Sequence, residues 1–156
     1  MAAVFVTGTD TGCGKTYVSE QLIRGAVALG LRATGMKPIA SGVTPENGEN
    51  EDVVKLAFAS TPKPEPRLLN QYCFSEPCSP NIASDLNGLE ISLDRIHTAF
   101  EDLKDHYDLV VVEAVGGWSV PLGKSILVAD LAAKLNILVL LVVGFRLGCI
   151  NHAPLT

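Results

Sequence analysis

One segment near the amino terminus constrains this chain more than any other. Gly8-Thr9-Asp10-Thr11-Gly12-Cys13-Gly14-Lys15-Thr16 follows a short apolar run, Ala3–Val6, and precedes apolar residues at helical spacing, Val18, Leu22, Ala26 and Leu29. A strand that runs through a glycine-rich turn into a helix presents free backbone N–H groups at the helix start, where they hold phosphate oxygens. Gly12 and Gly14 permit the tight turn. Lys15 is placed to reach the outer phosphates, and the Thr16 hydroxyl to ligate Mg²⁺. The spacing is lengthened: Thr9 stands where the strict pattern has glycine, and Gly8 lies one place earlier. The plainer alternative is a glycine-rich turn with no ligand.

A phosphate loop needs partners, and candidates lie at other strand ends. Leu109–Val112 is an unbroken apolar run that ends at Glu113, with Gly116-Gly117 beyond. An acid at the carboxyl end of such a strand lies where α/β sheets place ligands; a solvated strand end is the alternative. Asp52 opens a short helical segment to Ala59 and is either a metal ligand or a helix-capping acid. Lys37 lies near the end of a predicted strand over Ala33–Pro38. There it can add a second cation to the cleft, or simply lie exposed.

The rest of the pattern alternates strand and helix. Ser92 caps a predicted helix to about Lys104. Asp108–Glu113 and Ile137–Val143 read as strands, and because neither run alternates, both faces of each are expected to be buried. Thr44–Asn50 reads as a loop, Thr61–Pro66 as irregular, and the Leu147–Ala153 stretch as a first helical turn. Such alternation predicts a single α/β domain over residues 1–156, with a mostly parallel sheet. The sequence stops inside that last helix, which leads us to expect missing residues at the C-terminal end.

Composition narrows the partners. The chain has 156 residues, 47% hydrophobic, with a formal net charge of −5, which argues against nucleic-acid binding. No signal peptide is visible, and Ile137–Val143 is too short to span a bilayer, so a cytoplasmic location without membrane attachment is expected. The four cysteines form no C-x-x-C pair and are expected to be free thiols, although Cys73 and Cys78 with a distant His would be a nonstandard metal set.

The motifs together resemble the dethiobiotin synthetase family, a P-loop NTPase branch. The resemblance rests on Val6 to Thr11 through Gly14-Lys15-Thr16, Met36-Lys37-Pro38-Ile39-Ala40-Ser41-Gly42, Ser79-Pro80, Val112-Glu113 with Gly116-Gly117-Trp118, and Gly148-Cys149-Ile150-Asn151-His152. It implies a three-layer P-loop NTPase-like fold lacking its C-terminal part. It also implies an ATP- and Mg²⁺-dependent ligase that converts 7,8-diaminononanoate and CO₂ to dethiobiotin. A carbamate would attack the γ-phosphate, and the second amine would close the ring on the mixed anhydride.

By position, the resemblance implies Mg²⁺ ligands at Thr16, Asp52 and Glu113, and catalytic roles for Lys37, Lys15 and Thr11. Nucleotide contacts are implied at Gly12, Cys13, Gly14, Lys15, Thr16, Tyr17, Asp52, Glu113, Ala114, Val115 and Gly116. Substrate contacts are implied at Ser41 and at the Gly148, Cys149, Ile150 and Asn151 backbone, the latter across a homodimer. Gly12 stands where the family often has an acid, and Ala114 and Val115 replace smaller residues beside the nucleotide. Two other readings of the loop are a cobyrinic-acid-type amidoligase and a ParA/MinD-like switch ATPase. The first normally carries a further glutaminase domain. The second carries a lysine within the loop before the position of Lys15.

Overall fold

Phe5 and Val6 are neighbours in one strand, and each is fully buried in a different core. Side chains alternate along a strand, so this one is covered on both faces. The computed structural model describes residues 1–44 and 48–156. Strand β1 (Ala2–Gly8) feeds the glycine-rich loop and then helix α1 (Lys15–Ala28), followed by β2 (Ala33–Met36) and β3 (Ile39–Ser41). Next come α2 (Glu51–Ala59), α3 (Pro66–Leu69), β4 (Tyr72–Phe74), α4 (Pro80–Asn87) and α5 (Leu93–His106). The chain continues through β5 (Leu109–Glu113), α6 (Val128–Leu135), β6 (Leu138–Val142) and α7 (Cys149–Leu155).

Four parallel strands form the main sheet in the order β2-β5-β1-β6. On one face, Ile23 and Ala26 of α1 and Leu56 and Ala59 of α2 pack over Val6, Ala33 and Val111. On the other, Ile96, Phe100 and Leu103 of α5 and Leu131 and Leu135 of α6 pack over Phe5, Val110 and Val112. The result is the expected α/β architecture, with a parallel sheet between helical layers.

Two expectations change. The predicted strand over Ala33–Pro38 stops at Met36, because Pro38 has no N–H to continue the ladder. The chain instead leaves the sheet and pairs β3 with β4 in a separate two-stranded parallel sheet. The run Ile137–Val143 is a strand, but it is not buried on both faces: β6 lies at the sheet edge, and Leu138, Val139, Leu141 and Val143 are exposed. An apolar run reports what a strand can bury, not what covers it. Pro80 is the first residue of α4, where its missing N–H costs nothing. The expected loop Thr44–Asn50 includes residues 45–47, which lie outside the described residues.

Candidate active site

The glycine-rich loop takes the shape its sequence allows. Gly12 (φ 70°) and Gly14 (φ 102°) both adopt the left-handed conformation that glycine tolerates best. Lys15 begins α1 and is nearly buried, its Nζ donating to the Asp10 carbonyl at 2.8 Å. Burial lowers its pKa from 10.5, partly opposed by Cys13 and reinforced by the charge of Lys37.

Asp52 owes its orientation to a neighbour. Asn50 caps α2, its side-chain oxygen accepting the Asp52 and Val53 N–H groups at 3.1 and 3.2 Å, while its amide donates to the Gly42 carbonyl at 2.7 Å. Because Asn50 is the cap, the Asp52 carboxylate is free to turn inward. Glu113 ends β5 fully buried, as its strand position predicts. The break at Pro38 places Lys37: its N–H donates to the Leu69 carbonyl at 2.8 Å, and its carbonyl accepts from Asn70 Nδ2 at 2.6 Å.

These side chains meet at one point. Thr16 Oγ1 lies 2.9 Å from Asp52 Oδ1 and 2.8 Å from Glu113 Oε1. Lys37 Nζ donates to Glu113 Oε1 at 2.7 Å and to Asp52 Oδ2 at 3.1 Å, with the Ala114 carbonyl at 3.4 Å. Burial works to raise the pKa of Asp52, but the Lys37 charge and the bonds from Thr16 and Lys37 outweigh it and hold the carboxyl below 3.8.

The group fits a small hard cation. The Thr16 hydroxyl has a single hydrogen for two carboxylate oxygens, and Glu113 Oε2 is buried with no hydrogen-bond partner among the described residues. Two carboxylates and a hydroxyl are an oxygen donor set of the kind Mg²⁺ takes. Among the described residues no group of three or more His, Cys, Asp and Glu could hold a metal, and all four cysteines are free, so Cys73 and Cys78 form no such site.

A cavity of about 760 Å³ opens above this cluster. Thr11, Gly12, Gly14, Lys15, Thr16, Tyr17, Lys37, Ser41, Asp52, Glu113, Val115 and Gly116, all named from sequence, line it together. Ser41 Oγ is buried there without a partner among the described residues. Ala114 does not line it, although its carbonyl accepts from Lys37 Nζ at 3.4 Å. Cys13 lines a neighbouring cavity of about 210 Å³ instead.

Gly148, Cys149, Ile150 and Asn151 do not line the cleft of their own chain. Ile150 is 88% exposed. The Cys149 N–H already donates to Arg146 and the Asn151 N–H to Gly148, each at 3.0 Å.

Sequence reading missed Asn50, Lys55, Pro77, Cys78 and Val120 along the wall, and Arg146, which meets Asp10 at 2.6 Å. The one available signal was Asn50, a capping residue type just before the acidic pair Glu51-Asp52.

Comparison with known proteins places the chain in one family. The family model described as an AAA domain matches residues 2–156. The ATP-dependent dethiobiotin synthetase of Xanthomonas axonopodis pv. citri is 48% identical over 156 residues, covering 99% of this chain and 70% of that protein. The ATP-dependent dethiobiotin synthetase of Aromatoleum aromaticum is 49% identical over 156 residues, covering 99% of this chain and 69% of that protein.

Proposed function

The chain belongs to the dethiobiotin synthetase family of ATP-dependent ligases, and from that premise we propose how its own residues perform the reaction. The substrates are ATP, CO₂ and 7,8-diaminononanoate, and the product is dethiobiotin. The observation that carries the reading is the convergence of Thr16, Asp52, Glu113 and Lys37 at the mouth of the phosphate loop.

The backbone of Gly12–Thr16 cradles the phosphates, with Tyr17, Val115 and Gly116 along the nucleotide's path. Lys15 sets its charge against the outer phosphates. Thr16, Asp52 and Glu113 would hold Mg²⁺, which when bound draws charge from the phosphate oxygens. Ser41 and Thr11 orient the substrate carbamate. The carbamate oxygen forms a bond to the γ-phosphorus as the bond to ADP breaks. The second amine then attacks the carbamoyl carbon, the bond to phosphate breaks, and the cyclic urea closes as the departing phosphate takes up the amine's proton. Lys37 balances the charge that builds on the transferring group. Its place between two carboxylates keeps it fixed before ATP arrives, so little reorganisation is needed.

The reading extends to a single domain over residues 1–156 and a homodimer in a cytoplasmic setting, in which Gly148–Asn151 serve the partner's site. Among the described residues no helix is long and apolar enough to cross a membrane. A ParA/MinD-like switch is disfavoured by the relatives and by a loop interior, Asp10-Thr11-Gly12-Cys13, that holds no lysine before Lys15.

The test is to incubate the protein with ATP, Mg²⁺, bicarbonate and 7,8-diaminononanoate and to follow ADP and dethiobiotin by mass spectrometry. Equal amounts of both products, formed only when the diamine is present, are expected. ATP hydrolysis indifferent to the diamine would overturn the assignment.

A further inference from the structure

Asp10 is the only acidic residue within Gly8–Thr16, an awkward charge for a loop that holds a polyanion. Three contacts engage it. Its Oδ1 accepts the Thr11 N–H at 2.8 Å, its carbonyl accepts Lys15 Nζ at 2.8 Å, and its Oδ2 accepts Arg146 Nη2 at 2.6 Å. Arg146 lies beyond β6, 136 residues further along the chain. The same segment meets the loop twice more: the Thr9 N–H donates to the Val142 carbonyl at 3.1 Å, and the Gly144 N–H donates to Thr9 Oγ1 at 3.2 Å. Loop and segment together wall the smaller cavity of about 210 Å³, and Asp10 is not part of the main cleft's lining.

We propose that Arg146 is a positioning residue for nucleotide binding, which neutralises Asp10 and holds it out of the phosphate-binding cleft. The proposal rests on the reading of that cleft as an ATP site. Both side chains are about half exposed, and an ion pair at such a position adds little to fold stability. Its effect is on the sign of the field the loop presents. Thr11 and Gly12, which follow Asp10 directly, line the cleft, so the carboxylate is a near neighbour of a phosphate held by their N–H groups, and salt screens charges only beyond roughly 8 Å at physiological strength. Unpaired, it opposes Lys15. Paired, it leaves Lys15 and the loop N–H groups as the charges a phosphate meets. Asp10 also shapes the loop through Thr11 and Lys15, so an anchored Asp10 keeps the Lys15 amine aimed.

The experiment measures binding of a non-hydrolysable ATP analogue with Mg²⁺ by calorimetry, on the purified protein and three variants whose melting temperatures are checked first. Arg146→Gln is expected to raise Kd about tenfold, an increase that shrinks as salt is added. Arg146→Lys keeps the charge and is expected to stay within about threefold of the parent. The double variant Asp10→Asn/Arg146→Gln removes both charges and is expected to recover to within about threefold, a rescue that loss of a merely structural tie would not give. If the parent binds the analogue and Arg146→Gln binds it equally well, or if the double variant is no tighter than Arg146→Gln, the proposal is overturned while the site reading stands. If the parent binds no analogue at all, the ATP-site reading itself is overturned, and this proposal falls with it.

Discussion

Lys37 Nζ lies 2.7 Å from Glu113 Oε1, although 76 residues separate the two in sequence and both side chains are almost wholly out of solvent. A buried pair of this kind is costly to break from one side, because the remaining charge is left without compensation. Glu113→Ala is therefore expected to lower unfolding stability by about 3 kcal/mol, at the low end for such pairs because Asp52 stays within reach of Lys37. Urea denaturation gives the value. A loss below about 0.5 kcal/mol would mean that the ammonium finds solvent instead.

Lys37→Ala separates binding from chemistry. Its proposed role is stabilising charge in the transition state, so the maximal rate should fall about a hundredfold or more, with ATP affinity changed less than about threefold. Affinity by calorimetry and turnover by product formation are measured independently. A variant that binds ATP poorly but turns over normally when saturated contradicts that role.

Lys15 offers a trade of activity for stability. Its folded pKa is depressed, chiefly by burial, so the unfolded chain binds this proton more tightly. The resulting cost is present at neutral pH and is relieved only as pH rises toward 10.5. Lys15→Met removes the buried charge and keeps the shape. Its melting temperature should rise by about 2–4 °C, the shift that about 1 kcal/mol gives in a chain of this size. Dethiobiotin formation should fall at least about a hundredfold. A lower melting temperature would show that the bond to the Asp10 carbonyl outweighs the desolvation.

For Asp52 the sign is opposite. Its folded pKa lies below the ordinary 3.8, so its contribution is in place above that value and is lost as pH falls through the folded pKa. The stability difference between the parent and Asp52→Asn should be level above about pH 5 and shrink below about pH 4. Urea melts across that range measure it. A difference that grows with acid would contradict the pairing with Lys37.

The proposed dimer is tested by mixing. One parent carries Lys15→Ala and the other Gly148→Asp, a substitution strained by the positive φ of 96° there. Each is expected to be inactive alone. If sites are shared across a two-fold axis, one site of each mixed dimer has both defects and the other none, and about a quarter of parental activity returns on random exchange. Silence after demonstrated exchange would overturn the shared site and leave Gly148–Asn151 to their own chain's site or only to the fold.

Legibility followed locality. Lys15 and Thr16 were readable because a strand, a glycine turn and a helix in succession fix them within a few residues. Glu113 was readable from its place at the end of an apolar run. Asp52 was ambiguous from sequence, since ligand and cap use the same residue type; the bonds of Asn50 show that Asp52 is not the cap and leave its carboxylate turned to Thr16 and Lys37. Lys37 was placed in the right cleft by the wrong element: the turn at Pro38 and the bonds from Leu69 and Asn70 hold it, not a continuing strand. Arg146 was invisible because its partner lies 136 residues away, and nothing local marks an arginine as paired. Helix α6 and the exposed edge at β6 were missed because short apolar segments do not announce what covers them.

The position of β1 at the interior of the sheet bears on how the chain is made. Its two neighbours are β5, beginning at Leu109, and β6, beginning at Leu138. A ribosome supplies β1 and the phosphate loop first, then must add over a hundred residues before either flank exists. At about 5–20 residues per second the wait is on the order of ten seconds. During it, the apolar Val4-Phe5-Val6 has no native sheet partner, and Thr9 lacks the Val142 carbonyl that ties it down. The phosphate loop is thus made well before the two strands that fix its shape, so its geometry is set by some of the later parts of the chain.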